Sequence, residues 1–120
     1  LDPRDPRLTL GRFLADAAAR HGGRRAVHFE GRDLSYRELG REARALAAGL
    51  VGAGVVKGAR VALLLSNRPE WIAAAFAVGT IGGVVVPVNT FASREERDYI
   101  LRHGDASLLL LQPSLLRRAV

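Results

Sequence analysis

Between residues 60 and 90 the chain reads RVALLLSNRPEWIAAAFAVGTIGGVVVPVNT. Val61 to Leu65 are apolar without a break, the pattern of a short strand covered on both faces. Ser66-Asn67-Arg68-Pro69 interrupts the run. Proline has no N–H to give to a ladder but suits the first turn of a helix, which places Asn67 or Arg68 at the cap. Residues 70–81 are rich in alanine and predict a helix. Gly82-Gly83 ends it, and Val84-Val85-Val86 predicts a second strand. Strand, helix and strand with short joins predict a right-handed crossover between parallel strands. The helix has almost no polar face, because Trp71, Ile72, Ala73, Ala74, Ala75, Phe76, Ala77, Val78 and Ile81 surround it. A helix apolar all round is covered all round. It is expected between two layers, with a sheet on one side and further structure on the other.

The flanking pattern extends this unit in both directions. Leu10, Phe13, Leu14, Ala17 and Ala18 recur at helical spacing and predict a helix over residues 8–21, closed by His21-Gly22. Residues 26–29 and 33–36 flank Glu30-Gly31-Arg32 and predict a β-hairpin. Ser35 with Glu38 forms a capping box that opens a second helix, whose apolar face is Leu39, Ala43, Leu46, Ala47 and Leu50 and which Gly54 ends. Ser93 with Glu96 is a second capping box, followed by a helix that Gly104 closes. Leu108 to Leu111 predict a third buried strand, and Pro113 is expected to open a last helix. Short strands alternating with helices predict an α/β fold: a layered, mostly parallel sheet with flanking helices, plus an N-terminal hairpin.

Charge changes little in this picture. The formal net charge is +6, which invites a nucleic-acid reading. Residues 1–25 carry six arginines against three aspartates, Arg117 and Arg118 lie near the end, and the stretch between is almost neutral with its charges interleaved. No nucleic-acid partner is expected. Cysteine is absent, which removes disulfide and thiolate chemistry and permits a reducing compartment. The N-terminus has Asp and Pro where a signal peptide has an apolar core, so a cytoplasmic location is expected. Residues 71–93 carry no charge and hold Gly79 and Gly83 at GxxxG spacing, which raises a membrane span. The change from alanine-rich to β-branched composition halfway argues against one. Leu1 is not a start methionine, and residues 115–120 read as a helix cut in its first turns. Both ends predict a piece of a longer protein.

Candidate chemistry is sparse. Gly52, Gly54, Lys57 and Gly58 superficially resemble a phosphate loop, but they precede a strand instead of joining a strand to a helix, and their spacing is that of a helix stop and a turn. The strand C-terminal ends, where open α/β sheets bind ligands, offer Ser66, Asn67, Asn89, Thr90 and Ser93. Capping and turn formation explain these residues first. His21 and His103 sit at helix ends and His28 lies alone on a strand, with no carboxylate or second histidine at ligand spacing. Arg37, Arg41 and Arg44 share one helix face with Glu38 and Glu42 beside them, the pattern of a solvated face with weak ion pairs. Residue chemistry alone reaches a layered α/β piece and no activity.

Five stretches carry a family resemblance. Leu34-Ser35-Tyr36-Arg37-Glu38-Leu39 is similar to a "(T/S)YxEL" junction. Gly54-Val55-Val56-Lys57-Gly58-Ala59-Arg60-Val61-Ala62 is similar to a "GVxxGDRVA" turn, with Ala59 in place of the common Asp. Asn67-Arg68-Pro69-Glu70-Trp71 resembles "NxPEW", and Gly82 to Asn89 resembles "GAVVVPLN". Residues 93–111 resemble "TPEELAYILEHSGAKVLI". Together and in this order, from about Leu10 onward, they resemble the N-terminal part of the adenylate-forming superfamily: acyl-CoA synthetases, luciferases and peptide-synthetase adenylation domains. Thr80-Ile81 departs from the Lys-Ala or Arg-Ala of many members. Asn89-Thr90 and Asn67-Arg68-Pro69-Glu70 look more like the carboxylate–CoA ligases than the peptide synthetases.

The resemblance implies that residues 1–120 are an N-terminal, incomplete piece of a large adenylation domain. The implied parent is a ligase of fatty acid metabolism that activates a carboxylic acid with ATP to acyl-AMP and transfers it to CoA, with Mg²⁺ offsetting phosphate charge. A fatty acyl-AMP ligase or carrier-protein adenylation domain is the alternative, and a stand-alone α/β binding module is the non-enzyme alternative. The family's phosphate loop, aromatic-Thr-Glu segment, ribose-binding Asp, hinge and C-terminal Lys all correspond to positions past Val120. No catalytic, cofactor or metal residue is therefore carried onto this chain. Alone it is expected to be inactive, to hold no cofactor, to pack against the remainder of its parent and to self-associate.

Overall fold

In a computed structural model the described residues are 2, 4–112, 114–115 and 118–119. Helix α1 (Leu10–His21) starts at Thr9, whose hydroxyl accepts from the Arg12 N–H. Strands β1 (Arg25–Phe29) and β2 (Arg32–Ser35) form an antiparallel hairpin. Its turn is two residues long, one shorter than the pattern predicts, and both Glu30 (φ 49) and Gly31 (φ 76) are left-handed. Two left-handed residues give the turn the twist of the strands that flank it. Helix α2 (Tyr36–Gly52) follows directly and has the full capping box: Ser35 Oγ accepts from Glu38 N–H, and Glu38 Oε1 from Ser35 N–H.

Strand β3 (Arg60–Leu64), helix α3 (Pro69–Thr80), strand β4 (Val84–Pro87), helix α4 (Arg94–His103) and strand β5 (Leu108–Leu111) make the α/β core. The sheet is parallel throughout, in the order β4-β3-β5. Alternation along β3 sends Val61 and Leu63 to one face, against α2 and α3, and Ala62 and Leu64 to the other, with α4. All four are buried, as an unbroken apolar run in a central parallel strand requires. The chain steps from β3 to β4 on one side and then to β5 on the other. Right-handed crossovers with opposite directions put their helices on opposite faces, which is where α3 and α4 lie.

Helix α3 is covered on both sides by this chain. Ala74, Ala77 and Val78 pack with Leu50, Val61 and Leu63. Ala73, with Ile72 and Phe76, packs among Leu14 of α1, Leu34 of the hairpin and Leu39 and Ala43 of α2. The further structure expected behind the helix is α1, α2 and the hairpin, so a second chain is not needed to cover it. At the α1–α3 crossing a Cβ on Gly79 would lie 2.9 Å from Leu10 Cβ, and one on Gly11 would lie 2.9 Å from Thr80 Oγ1. The small residue of the GxxxG pair thus serves close packing between two helices. Among the described residues no helix is long and apolar enough to cross a membrane.

A helix after Pro113 is not what the described residues form. Ser114–Leu115 (β6) and Arg118–Ala119 (β7) pair as two short antiparallel strands. Pro113 itself, Leu116, Arg117 and Val120 lie outside the described residues. A stretch this short does not repay the cost of nucleating an isolated helix.

Candidate functional site

The C-terminal edge of the parallel sheet gathers the polar turn residues. Neighbouring strands β3 and β4 send their connections to opposite faces, so their ends part at this edge. This is a topological switch point, the place where open α/β sheets take ligands. Residues 65–68 form one wall and residues 88–93 the other.

The first wall is held from the side of β5. Ser66 donates both its N–H and its Oγ–H to Gln112 Oε1, each at 3.0 Å. Asn67 is exposed. The N-cap of α3 is Arg68, one of the two expected residues, but its side chain makes no cap bond. Its Nε donates to Glu70 Oε2 at 3.0 Å instead. The second wall is tied within itself: Asn89 Oδ1 accepts from Phe91 N–H at 2.9 Å, an Asx turn. Ser93 caps α4 through the expected capping box. Thr90 is half-buried beside Phe91, which is 74% exposed. Of the five strand-end residues predicted, the fold brings all to this edge. Ser93 caps and Asn89 closes a turn, whereas Ser66 bonds across the sheet.

Depressions surround this edge. A cleft of about 290 Å³ lies between the hairpin and the start of α3, lined by Val27, His28, Phe29, Asn67, Arg68, Pro69, Trp71 and Ile72. One of about 450 Å³ runs along α4 past Asn89, Glu95, Tyr99 and Ile100. A smaller one of about 170 Å³ lies between α4 and the strand ends at Leu64, Val88 and Leu109. Their linings are largely apolar; Arg68 is paired with Glu70, and Arg94 and Arg97 also line the cleft of about 170 Å³.

The histidines are distributed differently from their sequence pattern. His28 is not alone: the hairpin register sets it opposite Asp33, and its Nδ1 lies 2.5 Å from Asp33 Oδ1, with Arg25 Nη1 at 3.5 Å. The hydrogen bond from His28 holds the Asp33 carboxyl below its ordinary pKa, helped by the charge of Arg25. The short turn was the available signal, since it fixes which positions face each other. His21 packs tilted against Tyr36, and His103 stacks on Tyr99 with ring centres 5.4 Å apart. Among the described residues no three His, Cys, Asp or Glu side chains gather as a metal site.

Arg37, Arg41 and Arg44 are exposed, and among the described residues none is in an ion pair. Glu38 is taken by the cap and Glu42 reaches Arg32 of β2 at 3.7 Å, so the expected pairs within the helix do not form. The Ser35 hydroxyl and backbone hold Glu38 below its ordinary pKa, with a smaller contribution from Arg41. Lys57 lies between Gly54 (φ 92) and Gly58 (φ 84), ahead of β3 and so at the edge of the sheet away from the strand C-terminal ends. These residues do not fit a nucleoside triphosphate or its metal ion: the glycine turn faces the wrong edge, and the strand ends supply no lysine.

A family model described as AMP-binding enzyme matches residues 14–119. The chain belongs to the AMP-binding enzyme family. It is similar to the long-chain-fatty-acid–CoA ligase of Bacillus subtilis, with 34% identity over 115 residues, 96% of this chain and 20% of that protein. It is also similar to the phosphinothricin tripeptide synthetase PhsC of Streptomyces viridochromogenes, with 40% identity over 117 residues, 98% of this chain and 11% of that protein. Among solved structures it resembles the N-terminal subdomain of Klebsiella oxytoca NpsA, which was crystallised with anthranilyl-AMSN. There the TM-score is 0.83 and the identity 30%, over 86% of this chain and 27% of that one. The chain thus spans about a fifth of the length of a CoA-ligase relative and folds as part of the N-terminal subdomain of adenylate-forming enzymes. Family members include both acyl-CoA ligases and peptide-synthetase adenylation proteins, as the resemblance of the five motifs implies.

Proposed function

We propose that the polypeptide carrying this chain is an AMP-forming carboxylate–CoA ligase, most plainly a fatty acid–CoA ligase. In the first step a carboxylate oxygen attacks the α-phosphate of ATP and pyrophosphate leaves. In the second, the CoA thiol attacks the acyl carbonyl and AMP leaves. The observation that carries the reading is the similarity to a long-chain-fatty-acid–CoA ligase along 96% of this chain. ATP, Mg²⁺ and CoA are substrates and cofactor of that parent, and the groups that act on them lie on the parent outside residues 1–120. Within the parent this chain is scaffold, in the cytoplasm, packed against the remainder of its own polypeptide.

The test is thioester formation by the parent on a panel of fatty and aryl acids with ATP and CoA. Acyl-CoA product supports the reading. Accumulation of acyl-AMP despite ample CoA favours a second reading, a fatty acyl-AMP ligase or carrier-protein adenylation domain, which the 40% identity to PhsC supports. The 120-residue chain alone is expected neither to bind nor to turn over ATP. Calorimetric titration at millimolar nucleotide checks this, since a site of about 1 mM corresponds to roughly 4 kcal/mol.

A further inference from the structure

Of the arginines and the lysine in residues 4–112, all are exposed except Arg68 and Arg97, which are half-buried. Arg68 has its partner, since its Nε donates to Glu70 Oε2 at 3.0 Å. Among the described residues the Arg97 guanidinium has neither an ion pair nor a hydrogen bond. The acids nearest in sequence do not supply one: Glu96 is spent on the Ser93 N–H, and Asp98 pairs with neither Arg97 nor Arg94. A charge withdrawn from water without a counter-charge is costly, and an anion beside it removes that cost. The fold sets Arg97 at a cavity. The cleft of about 170 Å³ between α4 and the strand ends has an apolar lining of Leu64, Val88, Leu101 and Leu109. Arg94, Arg97 and Asp98 complete it, so its charges sum to one positive. It lies at the C-terminal ends of the strands, the edge at which open α/β sheets take ligands. In the string "TPEELAYILEHSGAKVLI" that residues 93–111 resemble, Pro and Leu stand where this chain has Arg94 and Arg97. Packing against an apolar lining does not call for a charge in place of that leucine.

We propose that this cleft is a binding site for a small amphiphilic carboxylate. Its carboxylate pairs with Arg97, with Arg94 beside it, and a short hydrocarbon tail lies against the four apolar side chains. The volume is below the roughly 300 Å³ at which drug-sized ligands are enclosed, so the site suits a short tail. This goes beyond the ligase reading, in which the reacting groups lie outside residues 1–120. The site is a second place at which an acid meets the protein, and no chemistry occurs there. If Arg97 only laid its stem over the apolar residues, neither the charge of a ligand nor the charge of residue 97 would matter to binding.

The experiment is titration calorimetry with hexanoate on the full-length protein, its reaction site first filled with a non-hydrolysable acyl-adenylate analogue. Wild type should show a saturable hexanoate isotherm. Arg97→Gln should weaken it about tenfold or more, and Arg97→Lys, which keeps the charge, should stay within about threefold. Arg102→Gln, on the same helix but outside this cleft, should leave it unchanged. Hexanol lacks the charge and acetate lacks the tail, so each should bind wild type at least about tenfold more weakly. Those two probes decide the matter if Arg97→Gln does not fold. No saturable binding of hexanoate, equal binding of hexanol, or an isotherm unmoved in a folded Arg97→Gln overturns the proposal. Hexyl phosphate binding more tightly than hexanoate assigns the cleft to a phosphate head and overturns the carboxylate. Failure of the analogue to bind counts against the ligase reading alone, and the comparison of wild type with Arg97→Gln still decides this one.

Discussion

Ser66 and Gln112 stand 46 residues apart and share a single acceptor oxygen, so one side chain ties the end of β5 to the turn after β3. Both donors are partly buried. Gln112→Leu strands the Ser66 N–H and hydroxyl, and a buried donor without a partner costs about 1–3 kcal/mol. The urea midpoint should fall accordingly, while Gln112→Glu should stay close to wild type. A leucine variant as stable as wild type would show that solvent already serves these donors.

The caps of α2 and α4 are local and complete. Ser35→Ala and Ser93→Ala should each cost about 0.5–2 kcal/mol in chemical denaturation. Helix α4 buries none of its residues, so its first turn depends more on the cap than that of α2, which buries five. Hydrogen exchange at Glu96 and Arg97 should accelerate in Ser93→Ala before global stability moves. Turnover of the parent should be intact at permissive temperature. A large loss of activity in a folded variant would give the serine a functional role.

Two helical glycines should respond to alanine in opposite directions. A Cβ at Gly49 meets nothing within 4 Å, so Gly49→Ala should stabilise by up to about 1 kcal/mol through helix propensity. A Cβ at Gly79 would stand 2.9 Å from Leu10 Cβ, where no flexible side-chain end gives way. Gly79→Ala should therefore destabilise by about 1–3 kcal/mol. Melting temperatures that shift in the same direction would contradict the α1–α3 crossing.

Acid should weaken the first turn of α2. Glu38 is held below its ordinary value of 4.5, chiefly by the hydrogen bond with Ser35. A carboxylate whose folded pKa is depressed contributes stability fully above its unfolded pKa, and loses it as pH falls through the folded one. Glu38→Gln should accordingly flatten the stability profile below about pH 4.5 and leave its shape above pH 6 unchanged. Asp33, lowered by its bond with His28, acts in the same direction, so Asp33→Asn is expected to flatten the same acid limb. A steeper acid limb in either variant would reverse the sign of these assignments.

Self-association of the isolated 120-residue chain is expected through the sheet edge, since α3 is already covered. Strand β4 ends in Pro87, which blunts that edge, whereas β5 is four leucines with no proline or charge among them. Burying about 400 Å² of apolar surface there is worth roughly 10 kcal/mol before the costs of association. Light scattering over a concentration series should show a dimer or larger species. Leu111→Lys, at a position 44% exposed, should shift it toward monomer. A monomer at high micromolar concentration refutes the expectation.

The sequence by itself determined the elements and their order as far as β5, but not the two short strands after Pro113. Capping boxes at Ser35 and Ser93, the proline at the start of α3 and the apolar runs of β3 and β5 are decided within about four residues, by hydrogen bonds and burial that any neighbouring context preserves. It also determined the family, because the ordered motifs survive as strings. Five residues of the candidate site were legible as strand-end positions: Ser66, Asn67, Asn89, Thr90 and Ser93. Gln112 was not, because no local pattern distinguishes a glutamine that accepts from a residue on another strand. The tertiary structure alone decided that bond, along with the facing of His28 and Asp33, the partner of Gly79 and the cover over α3. Each depends on register, crossing point or layer order, which are set by packing between distant segments and leave no mark in the residues next to them.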